Sequence, residues 1–263
     1  MNKNCEVTSG EIYYLHSTGA VSDTDADMSH CHSDYEILFA PAGSGEIMVE
    51  GSAFMFSEKT LILTRPFAYH SLRLDSHERY VIRFSPRQLV EEAKQMLDLL
   101  LDKDESGKYF DLSRSASDII SLLDRFEAAQ HLPDTERQIY LKMLISELII
   151  LLAVSDGERL WRDEGELGAR VIKYLNDNIT KNINLDKLAR KFFVSKYYLC
   201  RAFKKHNGIS VHGYVTKKRV MRAKQLIESG ETASSAAYKV GFGDYSAFYR
   251  AYVKVVGKSP TAD

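Results

Sequence analysis

The sequence predicts an α+β fold: an N-terminal β-barrel with following helices, then an all-α domain with two helix-turn-helix units. Strand-like alternation fills residues 10 to 85, apolar residues at helical spacing follow, and two helix-turn-helix patterns occupy the last hundred residues. A chain of 263 residues with 44% hydrophobic content is long enough for two buried cores. The expected divisions are a barrel over 1–86, a helical region over 87–155, a linker over 156–165 and the all-α domain over 166–263.

The strands of the barrel are predicted from short runs rich in Ile, Val, Phe and Tyr, separated by glycines and by Arg65-Pro66. Many short strands at close spacing are typical of a small barrel. The runs are Tyr35 to Ala40, Glu46 to Glu50, Ala53 to Phe56, Leu61 to Thr64 and Arg79 to Phe84.

Polar residues within these runs indicate a binding site. Residues 30, 32 and 36 share parity, so on a strand they point to one face, and His70 arrives from a neighbouring strand. Such groups suit hydrogen bonds to a sugar or small acid, without a metal or cofactor. Three imidazoles and a carboxylate also suit Fe, Mn, Ni or Zn, which is the alternative. The predicted ligand-binding residues are His30, His32, Glu36, Arg65, His70 and Arg83.

After Phe84 the pattern changes to a helical period, with predicted helices over Gln88 to Leu101, from after Ser115, and from Asp134 to about Val154. The third helix is apolar on nearly every side, so it must bury two faces. A symmetric homodimer is the simplest way to cover the second face, and a wholly intramolecular core is the alternative. Lys142 and Glu147 make this run too polar to span a bilayer, so no membrane partner is expected.

The last hundred residues hold two similar units. In the first unit an amphipathic helix starts near Leu185, and Ser195 is the expected N-cap of the second helix. In the other unit Gly241 makes the turn and Asp244 caps the next helix. The helical pattern between them, 212–228, is about 25 Å long at 1.5 Å per residue. A connector of that length suits two reading helices in successive major grooves of DNA, roughly 34 Å apart.

The charge distribution supports a nucleic-acid partner for the C-terminal part. From Glu166 onward there are 19 Lys and Arg and 7 Asp and Glu residues, a net charge of +12, although the whole chain carries -1. An asymmetry of this size indicates that one domain contacts an anionic polymer and the other does not. Cys5, Cys31 and Cys200 have no disulfide or zinc spacing, and the N-terminus lacks the apolar core of a signal peptide, so we expect a cytoplasmic protein.

Many spaced residues from about 168 to 260 fit one known pattern. They are Leu185, Leu188-Ala189, Ser195, Tyr198-Leu199, Phe203-Lys204, Gly208, Tyr214, Arg219, Ala223-Lys224, Val240-Gly241-Phe242, Phe248, Gly257 and Ser259-Pro260. This pattern resembles the DNA-binding domain of AraC/XylS-type transcription regulators. The chain departs from it at Ala233 and Ala236, where large aliphatic residues are usual, and at Tyr252-Val253, where Phe-Lys is usual. Each lost aliphatic side chain removes roughly 2 kcal/mol of the free energy gained by apolar burial, so we expect the second helix-turn-helix unit to be the less stable one.

The N-terminal half carries a second resemblance. The stretch His30 to Glu36, followed by Gly43 and Gly45 and then by Pro66 to His70, is similar to the cupin motif pair in the sensor domains of many such regulators. The barrel is therefore expected to be cupin-like and to bind a small-molecule effector. Ala68 stands where metal-holding cupins carry Gly, and the second motif is shorter than theirs.

The two resemblances imply a sequence-specific DNA-binding transcription regulator, an activator rather than an enzyme, with RNA polymerase as a further partner. Arg201 and Arg250 are expected to donate two hydrogen bonds to guanine, and Lys204 and Lys205 to hold phosphates of double-stranded DNA. The positions that the resemblance places at the DNA are Lys196, Tyr197, Cys200, Arg201, Lys204, Lys205, Tyr245, Ser246, Tyr249 and Arg250. Two alternatives remain: a metal-binding cupin enzyme or metal sensor fused to a DNA-binding domain, and a ligand-independent regulator.

Overall fold

The alternating segments of the N-terminal half form strands in two sheets. The computed structural model describes residues 4–18, 30–74, 78–101, 106–155, 157–159 and 167–261. Within them the strands are β1 (Asn4–Ser9), β2 (Ile12–Thr18), β3 (Tyr35–Ala40), β4 (Gly45–Val49), β5 (Ser52–Phe56), β6 (Thr60–Thr64), β7 (His70–Leu74), β8 (Glu78–Phe84), β9 (Gly107–Asp111) and β10 (Gly157–Arg159). One sheet has the order β1-β2-β8-β3-β6-β9-β10 and the other β5-β4-β7. The predicted α+β class is confirmed, with the strands arranged as two packed sheets.

Strand β3 shows why the arrangement is layered. Its side chains alternate between faces, and Ile37 and Phe39 lie in the large core that the sheet shares with helices. Leu38 and Ala40 lie in a second core with Ile47 of the smaller sheet. Because both faces of β3 are covered, nearly every residue of the strand is buried.

Three helices follow the strands in this first compact unit, which takes in most of residues 1–161. They are α1 (Glu91–Leu100), α2 (Ala116–Ala128) and α3 (Asp134–Ala153). Helix α1 begins three residues later than predicted. Pro86 opens a short 3-10 turn capped by Ser85, and Leu89 and Val90 are extended, so the helix cannot start at Gln88.

Helix α3 buries one face in its own unit and leaves part of the other exposed. Leu144, Leu148 and Leu152 are fully buried. Ile139 and Met143 are each 59% exposed, and Ile150 is 38% exposed. The described part of the chain contains no helix with the length and apolar character required to cross a bilayer.

Two strands lie outside the predicted barrel. Strand β9 pairs with β6, although its residues fall within the predicted helical region. Strand β10 pairs with β9, so residues 157–159 of the predicted linker extend the large sheet. Trp161, assigned to the linker by its sequence, lies outside the described residues.

A buried polar network fastens α2 to the large sheet. The Nδ1 atom of His16, on β2, hydrogen-bonds the Glu127 carboxylate of α2, and its Nε2 atom lies 2.9 Å from Oε1 of Glu78 on β8. The imidazole also stacks on Tyr80, with ring centroids 4.0 Å apart. The Tyr14 hydroxyl donates to the Leu123 carbonyl at 3.2 Å, and burial raises the Tyr14 pKa. The network therefore joins the helices to the strands by polar contacts as well as by apolar packing.

The second compact unit contains residues 29–33, 50–52 and 162–263, and its C-terminal segment is helical in its described part. Its helices are α4 (Leu167–Asp177), α5 (Leu185–Lys191), α6 (Lys196–Asn207), α7 (Val211–Glu228), α8 (Ala233–Lys239) and α9 (Tyr245–Val256). Helices α5 and α6 form the first helix-turn-helix unit, and α8 and α9 form the second. The connector α7 has 18 residues, about 27 Å at 1.5 Å per residue.

Candidate functional site

The first candidate reading helix, α6, begins at a well-formed cap. The Ser195 side chain accepts a hydrogen bond from the Tyr198 amide at 3.1 Å, as its predicted N-cap role requires. On the preceding helix, the Asn184 side chain accepts from the amides of Asp186 and Lys187 at 2.9 and 3.0 Å. These local hydrogen bonds fix where each helix starts and so which residues of α6 face outward.

Helix α6 has a buried face and an exposed face. Leu199 and Phe203 are buried in the unit, and Tyr197 is 73% exposed. Of the remaining candidate DNA contacts on this helix, Cys200 is half-buried. The exposed ones are Lys196, Arg201, Lys204 and Lys205. Helix α6 therefore offers an aromatic and basic surface.

Lys196 has a partner within its own unit. Its Nζ atom lies 3.1 Å from Oδ2 of Asp186 on α5. Both side chains are about half exposed, so the ion pair contributes about 0–1 kcal/mol and opens at little cost.

The second candidate reading helix, α9, is capped by Asp244, as predicted. Its carboxylate accepts hydrogen bonds from the amides of Ser246 at 3.2 Å and Ala247 at 2.8 Å. Ser246, Tyr249 and Arg250 are exposed on this helix. Tyr245 is half-buried, with its ring centroid 5.7 Å from that of Phe248, so a large part of it packs in the core.

Aromatic rings fill the core of the second helix-turn-helix unit. Ala236, where large aliphatic residues are usual in the resembled pattern, is completely buried. The Phe248 ring lies 5.4 Å from those of Phe242 and Tyr252. The large aromatic side chains occupy space around the small side chain of α8.

In the first compact unit, which holds the sheets, two predicted ligand-binding residues lie side by side on neighbouring strands of the large sheet. Glu36 on β3 lies opposite Arg83 on β8 and opposite Thr64 on β6. Because side chains alternate along a strand, Glu36 faces the same way as Leu38, into the core between the sheets. The Arg83 guanidinium lies 4.2 Å from the ring centroid of Tyr13. Polar groups thus line part of an otherwise apolar interior.

His70 is the most deeply buried of the predicted ligand-binding residues. It is 2% exposed, and its Nδ1 atom lies 2.9 Å from the Ala68 carbonyl, which fixes the ring. Its Nε2 atom lies 3.3 Å from Oε1 of Glu36. The other two predicted histidines, His30 and His32, lie with their ring centroids 5.8 Å apart.

The backbone of residues 30–36 differs from the predicted one. The parity argument requires one strand from His30 to Glu36, but His30 is an isolated bridge residue and β3 begins only at Tyr35. Arg65, also predicted to bind ligand, donates from Nη2 to the Leu101 carbonyl at 2.6 Å. The structure therefore places Glu36 beside His70 and engages Arg65 with the backbone.

Comparison with known proteins finds similar transcription regulators. A family model described as a helix-turn-helix domain matches residues 188–262. The HTH-type transcriptional activator RhaS of Citrobacter koseri is 25% identical over 240 residues, covering 88% of this chain and 85% of that protein. The probable transcriptional regulator LumQ of Photobacterium leiognathi is 26% identical over 248 residues, covering 92% of this chain and 94% of that protein.

Residues 188–262 therefore match a helix-turn-helix domain, and the chain is similar over most of its length to transcription regulators. Both findings agree with the DNA-binding transcription regulator that the sequence predicts. Among solved structures, ToxT from Vibrio cholerae O395 aligns over 100% of this chain and 95% of its own, with 13% identity and a TM-score of 0.39.

Proposed function

We propose that this protein is a cytoplasmic transcription activator of the AraC/XylS type that reads two DNA segments with α6 and α9 under the control of a small molecule. The main support is that both helices begin at side-chain caps and expose an arginine at the same position. Arg201 and Arg250 each lie six residues after the cap, on the exposed side of their helix. Equivalent placement on two helices suits reading of two successive major grooves.

The residues have separate roles in this proposal. Arg201 and Arg250 donate paired hydrogen bonds to O6 and N7 of guanine. Lys204 and Lys205, one turn further along α6, hold phosphates and position the helix. The activator role follows the activator RhaS among the relatives, and contact with RNA polymerase belongs to that role.

Two alanine variants test the assignment of roles in a gel shift. Arg201→Ala removes a bidentate base contact, so affinity for the selected sequence falls by about 5-fold to 150-fold and the preference at one base pair is lost. Lys204→Ala weakens binding to all sequences and lowers the slope of log affinity against log salt by about one. Lys173→Ala, an exposed lysine on α4, is the charge-matched control. Unchanged affinity and preference in Arg201→Ala contradict base reading by α6.

The effector is proposed to bind between the two sheets of the first unit. Glu36, His70 and Arg83 supply polar groups there, and the surrounding side chains are apolar, a combination suited to a sugar or small acid. We expect one class in a panel of neutral sugars and small carboxylic acids to raise the melting temperature. The Arg83→Leu variant should lose this response, whereas Arg87→Leu should keep it. If no compound of either class stabilises the wild-type chain, a ligand-independent regulator is favoured.

Allosteric control makes a further demand on the effector. An effector that changes DNA affinity must itself bind with a different affinity when DNA is present. Calorimetric titration with and without duplex measures both values. Equal values contradict coupling even if the effector binds.

A homodimer is proposed through the exposed stripe of α3, formed by Ile139, Met143 and Ile150. These residues lie on the solvent side of a helix whose other face is fully buried, and a symmetric partner covers such a stripe most simply. Met143→Asp should convert the dimer to a monomer in analytical ultracentrifugation, and Thr135→Asp, an exposed position in the first turn of α3, should not. A monomeric wild-type chain contradicts this proposal.

Metal sensing is a second candidate function, favoured by the contact between His70 and Glu36 and by the two further imidazoles at His30 and His32 in the sequence. Imidazole and carboxylate donors suit Fe, Mn, Ni or Zn, and the contact between His70 Nδ1 and a carbonyl orients its other nitrogen as in many metal sites. Elemental analysis of the purified chain tests it: near-stoichiometric metal that is lost in His70→Ala but kept in His131→Ala supports a metal sensor. Metal-free protein after loading with each ion excludes it and leaves the organic effector.

A further inference from the structure

The connector α7 carries one arginine that points into its own unit. Arg219 is half-buried and donates three hydrogen bonds to backbone carbonyls: Nε to Ile179 at 2.7 Å, Nη2 to Lys181 at 2.6 Å and Nη1 to Gly241 at 2.9 Å. Burial lowers its pKa. A guanidinium has five donors in a planar fork, so one side chain can satisfy three carbonyls at fixed angles.

The three carbonyls belong to different parts of the DNA-binding unit. Ile179 and Lys181 lie in the loop that leads into the first helix-turn-helix unit, between α4 and α5. Gly241 is the turn residue of the second unit, between α8 and α9. Arg219 therefore ties the loop before one reading unit to the turn inside the other.

A direct backbone contact lies beside the arginine. Gly241 has φ +95°, and a Cβ atom on it would come within 2.2 Å of the Thr180 carbonyl oxygen. That distance is shorter than any real contact, so the turn and the loop lie against each other only because residue 241 has no side chain. We call Arg219, Gly241 and the loop 179–181 the clamp.

We propose that the clamp fixes the distance and orientation of the two reading helices and thereby sets the spacing between the DNA segments that one chain accepts. This inference rests on the proposed reading of DNA by α6 and α9. The connector α7 joins the two units covalently, and the clamp adds a second attachment with directional hydrogen bonds. Arg219 acts as a positioning residue and does not contact DNA.

DNA geometry makes the spacing measurable. Inserting one base pair moves the second segment by about 3.4 Å and rotates it by about 35° around the duplex axis. A rigid pair of helices cannot follow that movement, whereas a loosened pair can. The probe is a duplex selected by the wild-type full chain from a random library, together with the same duplex carrying one or two base pairs inserted between the two protected segments.

Two variants open the clamp in different ways, each with a matched control. Arg219→Lys keeps the charge but not the three-way fork, and Arg222→Lys makes the same change at an exposed site on α7. Gly241→Ala pushes against the Thr180 carbonyl. Gly230→Ala also places a side chain at positive φ, +100°, but with nothing within 4 Å. Melting curves of all four verify folding, and the two clamp variants test the proposal independently.

The wild-type chain and both controls should lose about tenfold or more in affinity with one inserted base pair, the cost of a lost base contact. Arg219→Lys and Gly241→Ala should bind the original duplex more weakly but lose less than about threefold on insertion. A uniform loss on every duplex, or a wild-type spacing profile in the folded clamp variants, overturns the proposal.

A measurement without DNA separates this proposal from the one on which it rests. Spin labels at Lys205→Cys on α6 and Lys254→Cys on α9, with Cys200→Ser, report the distance between the reading helices. Arg219→Lys should broaden that distance distribution, and Arg222→Lys should not. If the wild type tolerates insertions but the distribution broadens, the clamp exists and two-helix reading is wrong. If the distribution is unchanged, the clamp is refuted whatever the DNA result.

Discussion

Replacing His16 by alanine should strongly destabilise the first compact unit. The His16 side chain is 8% exposed and that of Glu127 is 15% exposed, and each ring nitrogen of His16 faces a carboxylate oxygen. Removing the imidazole takes one hydrogen-bond partner away from the buried Glu127 carboxylate, which costs about 1–3 kcal/mol. Glu78, 37% exposed, regains water and adds little. Loss of the stacking on Tyr80 adds about 0.5–1.5 kcal/mol.

Calorimetry of the full chain measures the effect, because it resolves separate transitions in a protein of two compact units. For a unit of this size the summed loss of about 1.5–4.5 kcal/mol corresponds to a fall of about 3–18 °C in the melting temperature. His131→Ala, an exposed histidine in the turn after α2, is the control and should change it little.

A second substitution tests whether the two side chains are coupled. In the wild type, Glu127→Gln breaks the contact with His16, so it destabilises. In the His16→Ala background that contact is already absent, so the same change should lower the melting temperature much less. If Glu127→Gln lowers stability equally in both backgrounds, the two side chains are not coupled and the network contributes little.

Three further predictions concern the DNA-binding unit. Asp244→Ala removes the cap of α9 and should cost about 0.5–2 kcal/mol in unfolding and weaken DNA binding; equal melting of variant and wild type contradicts the cap. A thiol reagent should modify half-buried Cys200 faster than buried Cys31, because burial raises the pKa of the Cys31 thiol. Bound duplex should protect Cys200 from the reagent. If the duplex leaves the labelling of Cys200 unchanged, α6 does not lie at the DNA. Hydrogen bonding from Lys239 lowers the pKa of Glu231. Ionised Glu231 therefore stabilises the fold at pH values above the ordinary pKa of glutamate. This stabilisation is lost as the pH falls through the lowered pKa. The melting difference between wild type and Glu231→Gln should therefore shrink in acid, and a difference constant with pH contradicts this.

Features that depend on neighbouring residues could be predicted from the sequence. Ser195 and Asp244 cap helices because a short polar side chain reaches amides two or three residues ahead, whatever the rest of the fold does. Strand β3 follows from its apolar composition and was placed with the correct bounds. Helix caps and strongly apolar strands can therefore be predicted from the sequence.

Features that depend on distant pairing could not be predicted. Strand β9, GKYFD, has no clear alternation and is a strand because β6 supplies its hydrogen bonds. His16 and Glu127 are separated by 111 positions, and neither lies in a recognisable motif. The residue types predict a binding site that includes His70, but the assumed continuous strand from His30 is wrong because the chain forms β3 only from Tyr35. Residue types can be seen in the sequence, whereas their positions depend on the fold.

The two reading helices present related but unequal surfaces, which bears on the DNA sequence they select. Counted from their caps, Arg201 and Arg250 are equivalent. The second position is Tyr197 on α6, 73% exposed, but Ser246 on α9. The fifth position is a half-buried cysteine on α6, whereas on α9 it is Tyr249, 42% exposed. A shared arginine with different neighbours implies two segments that share a guanine and differ beside it.

Exchanging the residues at the second and fifth positions tests whether these side chains determine which bases α9 selects. The double variant Ser246→Tyr, Tyr249→Cys gives α9 the residues of α6 at both positions and leaves Arg250 and the aromatic core unchanged. Selection from a random library should then yield two segments that are more alike, with their guanines still roughly 10 base pairs apart, because one turn of the duplex separates successive major grooves. If the second segment keeps its wild-type sequence, Ser246 and Tyr249 do not read bases, and discrimination by α9 must come from Arg250 and from the shape of the DNA.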